Sequence, residues 1–224
     1  MYYTILLSVT AISISVVIGL LVALPGLSEN KGWRAFNRTY VEIVRSVPIL
    51  VLILWIFYGL PVILGEMEKF INGSTIWVYM DFRELDIEPI TVFWAGVVAL
   101  ALSDSAFQAE IFRGGIQSIA RGQYEAAQSI SLNYRDTMRY VILPQAIRRI
   151  LPALGNQLVY MLKMSSLVSV IGMQELTRKA NELSVSEYRP LEIYTVLVLE
   201  YLVLILIVSA GVRWLERRMQ ASEA

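Results

Sequence analysis

From Tyr2 to Leu24 the chain runs without a single charged side chain, and the Pro25-Gly26 pair closes the run. A helix needs roughly 20 apolar residues to cross about 30 Å of hydrocarbon, whereas a signal peptide needs a basic start and a shorter apolar core. Only Met1 precedes this run, so it reads as a membrane span. Comparable runs follow at residues 39–64, 89–112, 150–172 and 193–212, and 56% of the 224 residues are hydrophobic, more than one soluble core could hide. The expected fold is therefore an all-α membrane protein of about five transmembrane helices, forming a single transmembrane domain over residues 1–224.

Basic residues in short loops gather on the cytoplasmic side of a membrane. Those between spans 1 and 2, between spans 3 and 4, and in the tail number 13, against 5 in the remaining loops. The N-terminus is thus expected outside and the C-terminus inside. The acidic segment 65–89 would then lie over the outer mouth. A net charge of +0 offers no basic surface for nucleic acid, and the absence of Cys and His removes thiol nucleophiles, imidazole relays and most zinc sites.

The segment between spans 3 and 4 is too polar to span and too patterned for a slack linker. Ala126, Ala127, Ile130 and Tyr134 recur at helical spacing, which predicts a short amphipathic helix over 123–134. Such a helix either lies on the membrane surface or receives a partner, since adjacent alanines admit close approach.

Several motifs then carry a resemblance. Glu125-Ala126-Ala127, followed by Ser131 and Ile142-Leu143-Pro144, resembles the cytoplasmic EAA loop of permease subunits of binding-protein-dependent ABC importers. Ala106 to Ile116 with Gly122-Gln123, Arg45-Ser46-Val47-Pro48, and Lys163-Met164-Ser165-Ser166-Leu167 are similar to motifs of the polar amino-acid branch, in that branch's order. The resemblance implies a type I importer permease fold with a cytoplasmic coupling loop at 121–144, in which Glu125, Ala126, Ala127, Ser131 and Pro144 serve ATPase coupling. It also implies two ATP-binding cassette subunits, a second permease subunit that is either a copy or a relative, and a substrate-binding protein. All would sit at the bacterial inner membrane. ATP and Mg would be bound by the partner ATPase, because the chain has no G-x-x-x-x-G-K-[ST] loop and no cofactor site of its own. Two departures stand out: Ser131 replaces the family's usual Gly, and Met164 replaces a polar or acidic residue after Lys163.

Ionisable groups within a bilayer are costly and should face protein or water. Asp104 and Gln108 share a helix face, and Lys163, Met164, Ser165 and Ser166 supply an ammonium and hydroxyls on span 4; together these six are the candidate substrate path for a polar amino acid or an opine-like derivative. The structural alternative is an ion pair of Asp104 or Glu110 with Lys163, and Glu110 is also three residues from Arg113. An ion-coupled secondary transporter using Asp104 and Lys163 would show repeated halves and more spans, and a non-transporting assembly subunit would not need polar residues in spans 3 and 4. The chain offers no enzyme constellation.

Overall fold

The computed structural model describes residues 1–63 and 88–220, the backbone alone at 88–91 and 219–220. Every element among these residues is helical. Helix α1 spans Tyr2–Gly26, α2 Lys31–Ser46, α3 Ile49–Ile63 and α4 Glu88–Gln117. The short α5 (Arg121–Ser129) follows, then a turn at Tyr134–Asp136 and a π-helical stretch, Thr137–Ile142, that runs into α6 (Leu143–Met164). A 3-10 segment, Ser165–Ile171, ends at Gly172 with φ 91°, a left-handed conformation suited to glycine. Helices α7 (Leu176–Glu187) and α8 (Pro190–Gln220) complete the chain. The acidic segment expected over the outer mouth lies almost wholly outside the described residues.

Among the described residues three helices are long and apolar enough to cross a membrane, Tyr2–Gly26, Val92–Gln117 and Pro190–Arg218, and a fourth span results if the bent pair Lys31–Ser46 and Ile49–Ile63 counts as one. The expected second span needs correction. Residues 39–46 belong to α2, and α2 meets α3 at 92°. Pro48 is the cause: it bars the α conformation at the preceding residue, and Val47 accordingly sits at φ −90°, ψ 121°. The expected fourth span, 150–172, falls on α6 and the 3-10 segment after it; α6 begins at Leu143, carries Arg148 and Arg149 near its entry, and is not among the helices apolar enough to cross.

The core lies where α1, α3, α4, α6 and the 3-10 segment meet, with Leu7, Ile53, Leu100, Met161 and Val168 fully or almost fully buried. Close approach of α1 to α4 depends on Gly19, where an added Cβ would overlap the Gln108 side chain. Helix α8 stands at the edge of the bundle. Val196, Val198, Leu202 and Ile207 point outward, as an apolar helix does in lipid.

Candidate functional site

The helix α5 is shorter than its apolar stripe suggests. It stops at Ser129, Ser131 takes φ 61°, and a new helix starts at Tyr134, with the Asn133 side chain accepting from the Asp136 N–H at 3.0 Å. Tyr134 therefore does not share the helix of Ala126, and the expected single helix over 123–134 is two elements. Ser131 occupies the left-handed region that costs a non-glycine residue energy, so the position the family usually gives to Gly is a sharp reversal. Across the reversal, Gln145 Nε2 donates to Gln123 Oε1 at 3.1 Å, and Ile119, Ile142, Ala146 and Ile150 form a small apolar cluster with Tyr124 and Met138 at its margin. This ties α5 to the start of α6, where Pro144, which has no N–H to donate, follows directly on the π-helical stretch Thr137–Ile142.

The predicted coupling residues divide by exposure. Ala127 is buried against the cluster side, whereas Glu125 and Ala126 face outward, Glu125 in an exposed pair with Arg121 at 3.1 Å. Ile130 and Tyr134 are 72% and 75% exposed, which leaves two large apolar side chains uncovered beside the loop's outward face. Glu110 pairs with Arg113 at 2.6 Å just before the loop.

Asp104 is buried on α4 and accepts hydrogen bonds from three neutral donors: Ser15 Oγ of α1 at 2.6 Å, Gln108 Nε2 at 2.9 Å, and Gln157 Nε2 of α6. Gln108 Oε1 is buried and has no hydrogen-bond partner among the described residues. Neither Asp104 nor Glu110 pairs with Lys163. Lys163 is exposed instead, along a groove with Asn156, Tyr160, Ser209, Arg213 and Glu216 between α6 and α8. The Tyr160 ring is 6.4 Å from that of Phe107, over which the Arg45 guanidinium stacks at 4.7 Å. The six expected path residues thus separate. Asp104 and Gln108 close an internal knot, Lys163 lies on an outward polar face, Ser165 is buried with its hydroxyl on the Leu162 carbonyl, Ser166 caps back onto Lys163, and Met164 packs against the core.

Residues 15–221 match the family model described as binding-protein-dependent transport system inner membrane component. The chain belongs to this family. It is similar to the glutamine transport system permease protein GlnP of Escherichia coli K12, 37% identical over 97% of this chain and 90% of that one. It is also similar to the probable glutamine ABC transporter permease protein GlnM of Bacillus subtilis 168, 35% identical over 99% and 92%. Among solved structures, an amino acid ABC transporter with histidines superposes with a TM-score of 0.79 at 39% identity, covering 97% of this chain and 91% of that one.

The protein is thus the permease subunit of an ABC importer, the helical membrane component rather than the ATPase, and it works with an ATPase and a binding protein. Within the permease, sequence reasoning missed Ser15 and Gln157, the donors that hold Asp104, and Asn156 and Tyr160, which flank Lys163. A lone Ser or Gln within an apolar run is the only signal, and it does not say which helix it faces.

Proposed function

We propose that the permease moves a polar amino acid, delivered by a binding protein on the outer side, into the cytoplasm across the inner membrane. Two copies of an ATP-binding cassette subunit, carrying ATP and Mg, would drive two permease subunits. The observation that best supports this reading is α5, an exposed helix joined through Ser131 to α6, the helix that presents Lys163. Force applied at Glu125 and Ala126 would reach the membrane segment through the apolar cluster around Ile142 rather than through a slack loop.

The face around Asn156, Tyr160 and Lys163 supports passage of a zwitterion. An exposed ammonium meets the substrate carboxylate, and neighbouring amide and phenol groups supply further hydrogen bonds. Met164 stands where the polar branch usually has a polar or acidic residue, so this position offers no carboxylate to favour a cationic side chain. Proteoliposomes holding the permease with its ATPase and binding protein, with and without internal ATP, test the reading. ATP-dependent accumulation of glutamine or a similar amino acid is expected. Accumulation driven by an ion gradient without ATP would overturn it.

A further inference from the structure

Helix α2 follows the membrane-crossing α1 and bends by 92° into the apolar α3, yet is itself too charged to cross. It carries Lys31, Arg34, Arg38, Glu42 and Arg45 within 16 residues, while α3 beyond the 92° bend carries no charge. Its roll about its own axis is fixed: the Asn37 amide donates to the Val22 carbonyl of α1 at 2.7 Å, and Asn37 and Val41 are the buried residues of the helix. With that side against the bundle, two flanks are left. At about 100° per residue, Trp33, Phe36, Tyr40 and Ile43 fall within an arc of about 80°, and Lys31, Arg34, Arg38 and Arg45 within about 60° on roughly the opposite side. Trp33, Phe36 and Ile43 are 56%, 53% and 61% exposed. Of the basic residues, Arg45 stacks on Phe107 and Arg38 pairs with exposed Glu42, while Lys31 and Arg34 form no ion pair among the described residues.

We infer that α2 lies in the membrane interface, its Trp33-Phe36-Ile43 flank in the acyl boundary, and that Lys31, Arg34 and Arg38 hold acidic phospholipid headgroups beside the first bend of the permease. The occupant follows from position and charge. A charged helix that leaves the span α1 and turns at 92° into the apolar α3 is placed at the depth of the headgroups, where an aromatic flank is favoured and long basic side chains extend to phosphate. Asn37 and Pro48 keep the helix in that plane, so lipid binding would bear directly on the joint between α1 and α3.

The chain has no cysteine, so a single introduced thiol, labelled on the purified permease before assembly, reports without background. The assembled importer is reconstituted in phosphatidylcholine vesicles containing one quarter phosphatidylglycerol, with a nitroxide at Phe36→Cys or, as a second position on the same flank, Ile43→Cys. Either label should be several-fold more accessible to oxygen than to a water-soluble nickel chelate, and a label at Arg34→Cys should show the reverse. Protection of both flank labels from both reagents would mean protein covers the flank, and free access of the chelate would mean water does; either overturns the inference. Lipid extracted with the purified complex should be enriched in phosphatidylglycerol over the bulk ratio, and a Lys31→Gln, Arg34→Gln, Arg38→Gln variant should lose that enrichment. A basic side chain at an acidic surface shifts partition by about fivefold. Unchanged enrichment in the triple variant would place the acidic lipid elsewhere and overturn the assignment of these residues.

Discussion

Ser15 and Asp104 lie 89 positions apart, and a 2.6 Å hydrogen bond joins them inside the bundle. With Gln108 and Gln157 completing the set, one carboxylate organises neutral donors from α1, α4 and α6. Asp104→Leu should therefore act on assembly of the bundle: it strands three buried or partly buried donors, each costing about 1–3 kcal/mol when left unpaired. Asp104→Asn retains one acceptor oxygen and should lose less. Thermal unfolding of the purified permease in detergent checks both. If Asp104→Leu leaves the melting temperature unchanged while abolishing uptake, Asp104 touches substrate rather than the fold.

Much of this arrangement was legible in the sequence. Pro25-Gly26 marks a real helix end, since its backbone chemistry acts whatever the tertiary context, whereas the apolar run at 39–64 carried the expected span straight through the bend at Pro48. The direction in which a side chain faces was not legible, and Lys163 shows why. On α6, Lys163 falls about 120° from Gln157 and about 20° from Asn156 around the helix. Once Gln157 turns toward Asp104, Lys163 must point elsewhere, but nothing local decides which polar residue turns inward. The end of α5 was misjudged for a related reason. The apolar spacing continues through Ile130 to Tyr134, so periodicity alone carries the helix past a reversal that only Ser131 marks.

Ser131 supplies the second prediction. A non-glycine residue at φ 61° bears a conformational cost of about 1–2 kcal/mol. Ser131→Gly relieves it but also loosens the unfolded chain, so a net gain of about 0.5–1 kcal/mol is expected. Ser131→Val, β-branched and worse in the left-handed region, should destabilise the loop and lower uptake per ATP hydrolysed. Chemical denaturation and paired uptake and ATPase measurements distinguish the two variants; equal stability of Gly, Ser and Val here would mean the reversal is not held as described.

For coupling, the cleanest substitutions are at Glu125 and Ala126 rather than Ala127. Ala127 is buried, so Ala127→Asp would unfold the joint between α5 and α6 as well as disturb docking. The Glu125–Arg121 pair is exposed on both sides and contributes little to stability. Glu125→Arg or Ala126→Lys should leave the permease as stable as the parent yet reduce uptake at least about tenfold, equivalent to about 1.4 kcal/mol of lost contact with the ATPase. Co-purification of the ATPase with each variant reads the contact directly. Normal uptake with normal ATPase retention would remove α5 from the coupling path.

Glu175 gives a pH signature that belongs to the fold. Its carboxylate caps α7 by accepting from the Arg178 N–H at 2.7 Å, the Tyr201 hydroxyl donates to it at 3.0 Å, and the next residue, Leu176, donates its N–H to the Thr4 hydroxyl of α1 at 3.2 Å. The group is almost fully enclosed, and burial outweighs these hydrogen bonds to push its carboxyl above the ordinary range. In the native state it then holds its proton at pH values where the unfolded chain has released it. Native protein binds more protons across that window, so stability from this group is greatest below the ordinary carboxylate pKa and falls as pH rises through the raised one. Glu175→Gln preserves a carbonyl oxygen for the cap and cannot ionise, so it should flatten the decline on the alkaline side of the window. Melting temperatures of the parent and the variant between pH 4 and 8, a range spanning about four units around the carboxylate region, make the comparison. Parallel curves would mean that Glu175 is ionised in both states and that the hydrogen bonds from Arg178 and Tyr201 outweigh its burial.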